Sequence, residues 1–391
     1  MSPERFEIVR TAERLAAIGP DWTALWARSG ALVFQSHAWV SAWWASAPDR
    51  ERRALAVVLA WRGDTLVGVL PLATVRRKGF RVLEWAAKDC SDFGDALLAD
   101  RANAGLLRRM WQHASRAGGF DLAYLNRLLP DAAARALLTP ISGSTRLRLN
   151  HRDEANWRVR GPWPTGQAWF DAQSKKTRQN YRRGQKSMGE HGPLTFRLLG
   201  PEEPLGPILN QLTQFKRAWL ATHNLPSTAF YDEGSQALPA MVRVLQETGL
   251  LHAFVLECGG ALVAVSINFV QAGTMMAFVT TYDPAFERGS PGMVLMMDYI
   301  MWSIDRGLHT VDFLCGDEGF KGRFGTESLK LASMMGGRTP QGSAAHLVDS
   351  TRQALQQYIR KPTNVGTSAP EPSAQQLNTW LTTKDSCCTF L

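Results

Sequence analysis

The chain lacks most of the features that assign a protein to a class directly. Its five cysteines, Cys90, Cys258, Cys315, Cys387 and Cys388, include no Cys-x-x-Cys pair, and no histidine pair stands at zinc spacing. Neither a metal site nor a disulfide framework is indicated. The start, Met1-Ser2-Pro3-Glu4-Arg5, has no basic segment leading into an apolar one, so no signal peptide is expected. The longest charge-free run, Ala261 to Tyr282, reaches membrane-span length. Asn268, Gln271 and Gly273 interrupt it, which predicts two strands and a turn instead of a spanning helix. There is no Gly-x-Ser-x-Gly elbow, and Cys315 has no evident histidine partner, so a nucleophilic triad is not expected. A protein of the reducing cytoplasm fits these absences.

The residues that are present argue for a folded chain with a taste for anions. A composition of 45% hydrophobic and 20% charged residues excludes disorder. At 391 residues the chain is too long for one ordinary core, and two domains are expected. Forty-four Lys+Arg against 35 Asp+Glu leave a net charge of +9, enough to favour an anionic ligand or surface without marking a nucleic-acid binder. Fourteen tryptophans point to aromatic-rich cores or grooves.

Element order repeats along the chain. The opening to about Trp44 reads as helical, with Trp22, Leu25, Trp26 and then Trp39, Val40, Trp43, Trp44 on a core-facing stripe. Leu55–Trp61, a turn at Gly63 and Thr65–Leu72 make a hairpin; Arg81–Trp85 is extended; a helix covers about 102–116; and Phe120–Leu125 is a strand. The same order returns as His252–Cys258, a Gly259-Gly260 turn, Ala261–Phe269, Thr274–Tyr282, a helix over about 292–305 and Thr310–Leu314. The expectation is an α/β (α+β) chain of two like units, each a mixed sheet covered by helices, joined where Gly161-Pro162-Trp163-Pro164 breaks regular structure. The boundaries expected are 1–155, 156–340 and a partly disordered tail over 341–391, where Pro, Ser, Thr and Ala accumulate.

Two stretches hold candidate chemistry. Tyr282-Asp283-Pro284…Arg288-Gly289-Ser290-Pro291-Gly292 turns from a strand into a long apolar helix. Unpaired N–H groups and a positive dipole end there suit a pyrophosphate, with Arg288 adding charge. The same residues also read as a plain helix start capped by Ser290. Next, Asp312 lies within a strand between Val311 and Phe313, where desolvation raises a carboxylate toward the range of a general base, and Asp317 and Glu318 follow in the loop. Alternatively, Asp312 accepts backbone hydrogen bonds and the acidic loop is solvated. A basic segment, Ser174-Lys175-Lys176-Thr177-Arg178-Gln179-Asn180-Tyr181-Arg182-Arg183, is either a solvated helix face or an anion-binding one.

These segments, together with Phe34-Gln35-Ser36-His37-Ala38-Trp39 and Asp312-Phe313-Leu314-Cys315-Gly316-Asp317-Glu318-Gly319-Phe320-Lys321, resemble the GNAT superfamily of acyltransferases, specifically its CelD-like branch, which is similar to the FemAB-type transferases with tandem GNAT domains. The resemblance spans about residues 30–335. It implies two tandem GNAT-like domains with mainly antiparallel twisted sheets, and acyl transfer from acetyl-CoA or a longer acyl-CoA to an amine of an envelope glycan or a lipid such as a sphingoid base. By the same resemblance Arg288, Gly289, Ser290 and Gly292 hold the donor's pyrophosphate. Asp312, Glu318 and Tyr282 are the catalytic candidates, and Arg178, Arg182, Lys321 and Asp317 bind substrate or anion. Glu287 and Ser290 replace the family's usual residues in the loop, and Phe320 stands where related chains often have tyrosine. No metal is implied. The location expected is the cytoplasm or the inner face of the membrane, with peripheral membrane contact. Two alternatives stay open: aminoacyl transfer from aminoacyl-tRNA, and a non-catalytic module of a polysaccharide-synthesis assembly. Nucleic acid is not expected as a partner, since the basic segment, with Tyr181 its one aromatic, lacks aromatics in a stacking arrangement.

Overall fold

The computed structural model describes residues 4–47, 49–150, 154–222, 224, 230–316 and 319–360. They divide into two compact units, one of residues up to 154 together with those from 329 onward, the other of residues 155–328.

The first unit opens on a strand, β1 (Glu4–Val9), where a helix is expected from the sequence. Phe6 and Ile8 alternate along it and pack on the core, a period-2 signal that the tryptophan stripe downstream obscures. Three helices follow: α1 (Ala12–Ala17), α2 (Gly19–Ser29) and α3 (His37–Ser46), with Thr11 and Ser36 capping the first and third. Trp22 and Trp39 are fully buried, and their indoles donate to Gln35 O and Ser91 Oγ. The tryptophan stripe is core.

The chain continues through β2 (Arg53–Leu55), β3 (Val57–Arg62), β4 (Thr65–Leu70), β5 (Leu72–Arg77), β6 (Phe80–Trp85) and β7 (Leu97–Leu98). Two runs expected to be single strands are each split between sheets. Leu55 belongs to β2 and Val57 to β3, while Pro71, which has no N–H to donate, separates β4 from β5. One sheet has the order β1-β3-β4-β7. The other is β2-β5-β6, then β8 (Leu122–Leu128), then β17 (Ala332–Gly337), then β9 (Arg148–Asn150). The helix α4 (Ala104–Ala117), capped by Asn103, carries the chain from β6 to its parallel neighbour β8 and buries Leu106, Leu107, Met110 and Trp111.

The second unit contains β10 (Ala155–Val159), α5 (Gly166–Ala172), α6 (Lys175–Gly189), β11 (Leu194–Leu198), α7 (Leu205–Thr222) and α8 (Ala237–Glu247). It continues with β12 (Leu251–Cys258), β13 (Ala261–Gln271), β14 (Thr274–Tyr282), α9 (Pro291–Asp305), β15 (Thr310–Cys315), α10 (Gly319–Phe324) and β16 (Glu327–Lys330). Its sheet runs β11-β12-β13-β14-β15-β10-β16. The long charge-free run is β13 and β14, as expected, and among the described residues no helix is long and apolar enough to cross a membrane. The helix α9 is buried on nearly every side from Pro291 to Ile300 because it packs on β12–β15 as well as on α5 and α6.

The two units share more than element order. In each, an antiparallel hairpin, a helix and a parallel strand follow one another: β5-β6-α4-β8 and β13-β14-α9-β15. Each sheet also completes itself with a strand that follows the other unit in the chain, β17 beside β8 and β10 beside β15. The expected second domain therefore ends too late at 340. From residue 329 the chain returns to the first unit, and α11 (Pro340–Arg360) replaces the first part of the expected tail. The remainder of that tail, 361–391, lies outside the described residues.

Since β17 sits between β8 and β9, a fragment of residues 1–155 lacks an interior strand of its own sheet. Such a fragment is expected to give no cooperative thermal transition by circular dichroism, whereas the full chain does; a cooperatively melting fragment contradicts this topology.

Candidate active site

The feature that organises the second unit is a parting of strands. Parallel β14 and β15 pair only from Thr274 with Thr310 through Met276 with Asp312. Beyond that point β14 continues to Tyr282 and β15 to Cys315 without pairing to each other, so the sheet opens into a notch. Two irregularities shape it. The register between β13 and β14 shifts near Phe278, and Leu314 takes a left-handed backbone at φ 59°.

At the open end, residues 284–289 form a 3-10 turn that leads into α9. Ser290 adopts φ 49° and makes no side-chain cap, so the expected serine cap is absent. Pro291 has no N–H, while the N–H groups of Met293 and Val294 both donate to Ser290 O. This leaves the Gly292 N–H as the first turn's unengaged donor among the described residues, fewer than the sequence suggests. Arg288 is exposed on the turn. Gly289 is buried against α6: a Cβ there would lie 2.6 Å from Met188 Cγ, and a Cβ on Gly184 would lie 2.4 Å from Gly289 O. Glycine at both positions is explained by this close approach of helix and turn.

Tyr282 is buried at the end of β14, and burial together with the charge of Glu287 holds its phenol well above the usual range, hence protonated. Asp312 is fully buried with both oxygens engaged. Its Oδ1 accepts from Asn156 Nδ2 at 2.6 Å and from Leu314 N at 2.7 Å, and its Oδ2 from Arg158 Nε at 2.8 Å. Burial pushes its carboxyl upward, opposed chiefly by the Arg158 charge. The expected desolvation is there, but the carboxylate faces its own clamp. Lys321 is buried and donates from Nζ to Cys315 O at 2.8 Å, at the notch's far rim. Asp317 and Glu318, and the side chain of Phe320, lie outside the described residues.

The basic segment is α6, capped by Ser174. Thr177, Tyr181, Gly184 and Met188 form its buried stripe, and Lys175, Lys176, Arg182, Arg183 and Lys186 are exposed. Arg178 is partly exposed and donates to Asp171 O, and Arg182 lies over the Phe170 ring. Thus α6 brings its charges beside the turn that carries Arg288.

Sequence reasoning missed a buried group that fastens this helix. Tyr181 Oη donates to Asp298 on α9 and accepts from Gln185 Nε2 at 2.9 Å. Burial pushes the Asp298 carboxyl up to about 7. The signal was present: Asp298 is the lone acid in the apolar run Met293–Trp302, and Tyr181 the lone aromatic in the basic helix. Asn156 and Arg158 were also missed, since polar residues at period 2 on a strand resemble a solvent face. Among the described residues no group of His, Cys, Asp and Glu is arranged to hold a metal ion.

Residues 175–322 match the family model for the acetyltransferase (GNAT) domain. This stretch is similar to a GNAT domain. The matched segment contains the notch, α6, α9 and β15. No curated protein matches the chain. Among solved structures, FemX is similar at 9% identity and TM-score 0.56, covering 88% of this chain and 100% of FemX. L-PGS from Bacillus licheniformis aligns at 12% identity and TM-score 0.53, covering 88% and 97%. The C-terminal domain of a protein described as a lysylphosphatidylglycerol synthetase, from Agrobacterium fabrum, aligns at 14% and 0.53, covering 86% and 96%. At such identities these likenesses show the fold alone, and their coverage takes in residues of both units.

Two outcomes follow for this matched stretch. Gly184→Ala drives a methyl into the Gly289 carbonyl and is expected to cost about 1–3 kcal/mol, read as a lowered Tm. An unchanged Tm would show that helix and turn are not in contact. Asp298 binds its proton more tightly folded than unfolded, so its contribution to stability is full below about pH 4 and is lost as pH rises toward 7. Asp298→Asn is therefore expected to gain on the native chain between those pH values, by roughly 4 kcal/mol at most. A pH-independent difference between the two melting curves would exclude the shifted carboxyl.

Proposed function

We propose that this protein transfers an acyl group from an acyl-CoA thioester to an amine, with the donor's extended arm lying in the notch of the second unit. The parting of β14 and β15 after Met276 and Asp312, with α9 crossing between them inside a matched GNAT domain, is the observation that carries this reading. Unpaired strand edges there supply backbone donors and acceptors to an amide-bearing chain, as a further strand would. The donor's pyrophosphate meets the Gly292 N–H and Arg288, with Gly289 and Ser290 giving the turn its close approach.

The acceptor amine attacks the thioester carbonyl, the C–S bond breaks, and CoA departs as thiolate. Tyr282, kept neutral by burial at the notch's edge, donates a hydrogen bond to the departing sulfur. The amine's proton passes to a carboxylate or to water. Glu318 remains the proposed acceptor of that proton, and Asp317 contacts the substrate. Asp312 gives up the role because its oxygens are already bound. Lys321 and the Arg178 and Arg182 side chains bind anionic parts of the substrates. The exposed basic face of α6 suits an acceptor presented at an anionic envelope surface, a glycan amine or a lipid amine on the inner face of the membrane.

A second reading, aminoacyl transfer from a charged tRNA in the manner of FemAB-type proteins, is favoured by the fold shared with FemX across both units. Calorimetry with coenzyme A separates the readings. Micromolar binding that falls about tenfold or more in Arg288→Glu supports the CoA donor. No binding refutes it, and binding without thiol release toward any amine reduces the protein to a binding module.

A further inference from the structure

The two units build the same strand end from different chemistry. In the first, Met334 of β17 stands opposite Leu125 of β8 and Ala332 opposite Leu128, so that Asn126 and Arg127 together face Ser333, and Arg127 has φ 58°. In the second, Arg158 of β10 stands opposite Asp312 of β15 and Asn156 opposite Cys315, so that Phe313 and Leu314 face Trp157, and Leu314 has φ 59°. The bulge is the same and falls at the same place. Position by position, Asp312 occupies the place of Leu125, Arg158 that of Met334, and Asn156 that of Ala332. Leu125 and Met334 are fully buried and Ala332 nearly so. At these three positions the first unit therefore uses apolar side chains, although Asn126, Arg127 and Ser333 of its bulge are buried and polar.

The second unit's charges are then not a requirement of the architecture. A buried carboxylate–guanidinium pair at best offsets its own desolvation. Asn156, also fully buried, has its Oδ1 without a hydrogen-bond partner among the described residues, which costs further. Expense of this kind, beside a notch, points to a ligand. The geometry says which kind. Asp312 is held by Asn156 Nδ2 and Leu314 N, and it fixes Arg158 through Nε alone. The Arg158 side chain is 22% exposed, and among the described residues its terminal nitrogens form no hydrogen bond. A guanidinium pinned at Nε and open at both Nη atoms is a fork of fixed direction.

We propose that Arg158, on the strand that flanks β15 on the side away from β14, is an anion-binding residue aimed by Asp312 and Asn156, and that it takes a carboxylate or phosphate group of a ligand. That this anion belongs to the donor or the acceptor rests on the acyl-transfer reading; the binding itself does not.

Nuclear magnetic resonance of the 15N-labelled full chain tests this, with the Arg158 Nε–H signal assigned by its loss in Arg158→Lys. Titration with inorganic phosphate or acetate at constant ionic strength is expected to shift that signal saturably. In Asp312→Asn, whose folding is checked by its melting curve, the apparent affinity is expected to fall about fivefold or more as the fork loses its aim. No saturable shift with either anion overturns the proposal, and an unchanged affinity in Asp312→Asn overturns the positioning role. Coenzyme A that competes with phosphate assigns the anion to the donor, and coenzyme A that binds without competing assigns it to the acceptor. A saturable shift in a chain that binds no coenzyme A upholds the anion site while removing the donor reading.

Discussion

The separation of two parallel strands after three paired residues is the constraint from which the second unit's chemistry follows. A sheet interior normally consumes its backbone donors and acceptors in pairing with itself. Where β14 leaves β15 beyond Met276 and Asp312, both edges face a gap, and α9 begins at its mouth. The bulge near Phe278 and the left-handed turn at Leu314 are the local distortions that keep the gap open. Each breaks ladder regularity at the point where a closed sheet would have none to spare.

The surroundings of the gap are fixed by burial. The α9 helix is apolar around its circumference because sheet and helices enclose it, and its one internal acid is matched by Tyr181 of α6. That contact, with the glycine-to-carbonyl approach of Gly184 and Gly289, holds a strongly basic helix against the turn. The charged helix and the turn are thus joined by packing, so that an anion drawn to α6 arrives next to Arg288.

Much of this was legible in the sequence. The hairpin Leu251–Cys258 and Ala261–Gln271, the strand Thr274–Tyr282, the helix after Pro291 and the strand from Thr310 announce themselves through apolar runs punctuated by glycine. The duplication was visible too, as element order. The exchange of β10 and β17 was not, because a strand's partner is a long-range choice that its own five or six residues do not encode. Nor was the clamp on Asp312: a carboxylate between Val311 and Phe313 signals burial, but the amide and the guanidinium that meet it come from a strand some 150 residues earlier. The cap at Ser290 failed for a local reason, since the 3-10 turn before it leaves the serine left-handed.

The account turns on an extended donor pairing with the open edges of β14 and β15. Hydrogen–deuterium exchange read by mass spectrometry, with and without saturating coenzyme A, measures this directly. Slowed exchange in residues 277–282 and 313–315 is the predicted result. Protection confined to other segments, or none at all, would contradict the placement of the donor in the notch.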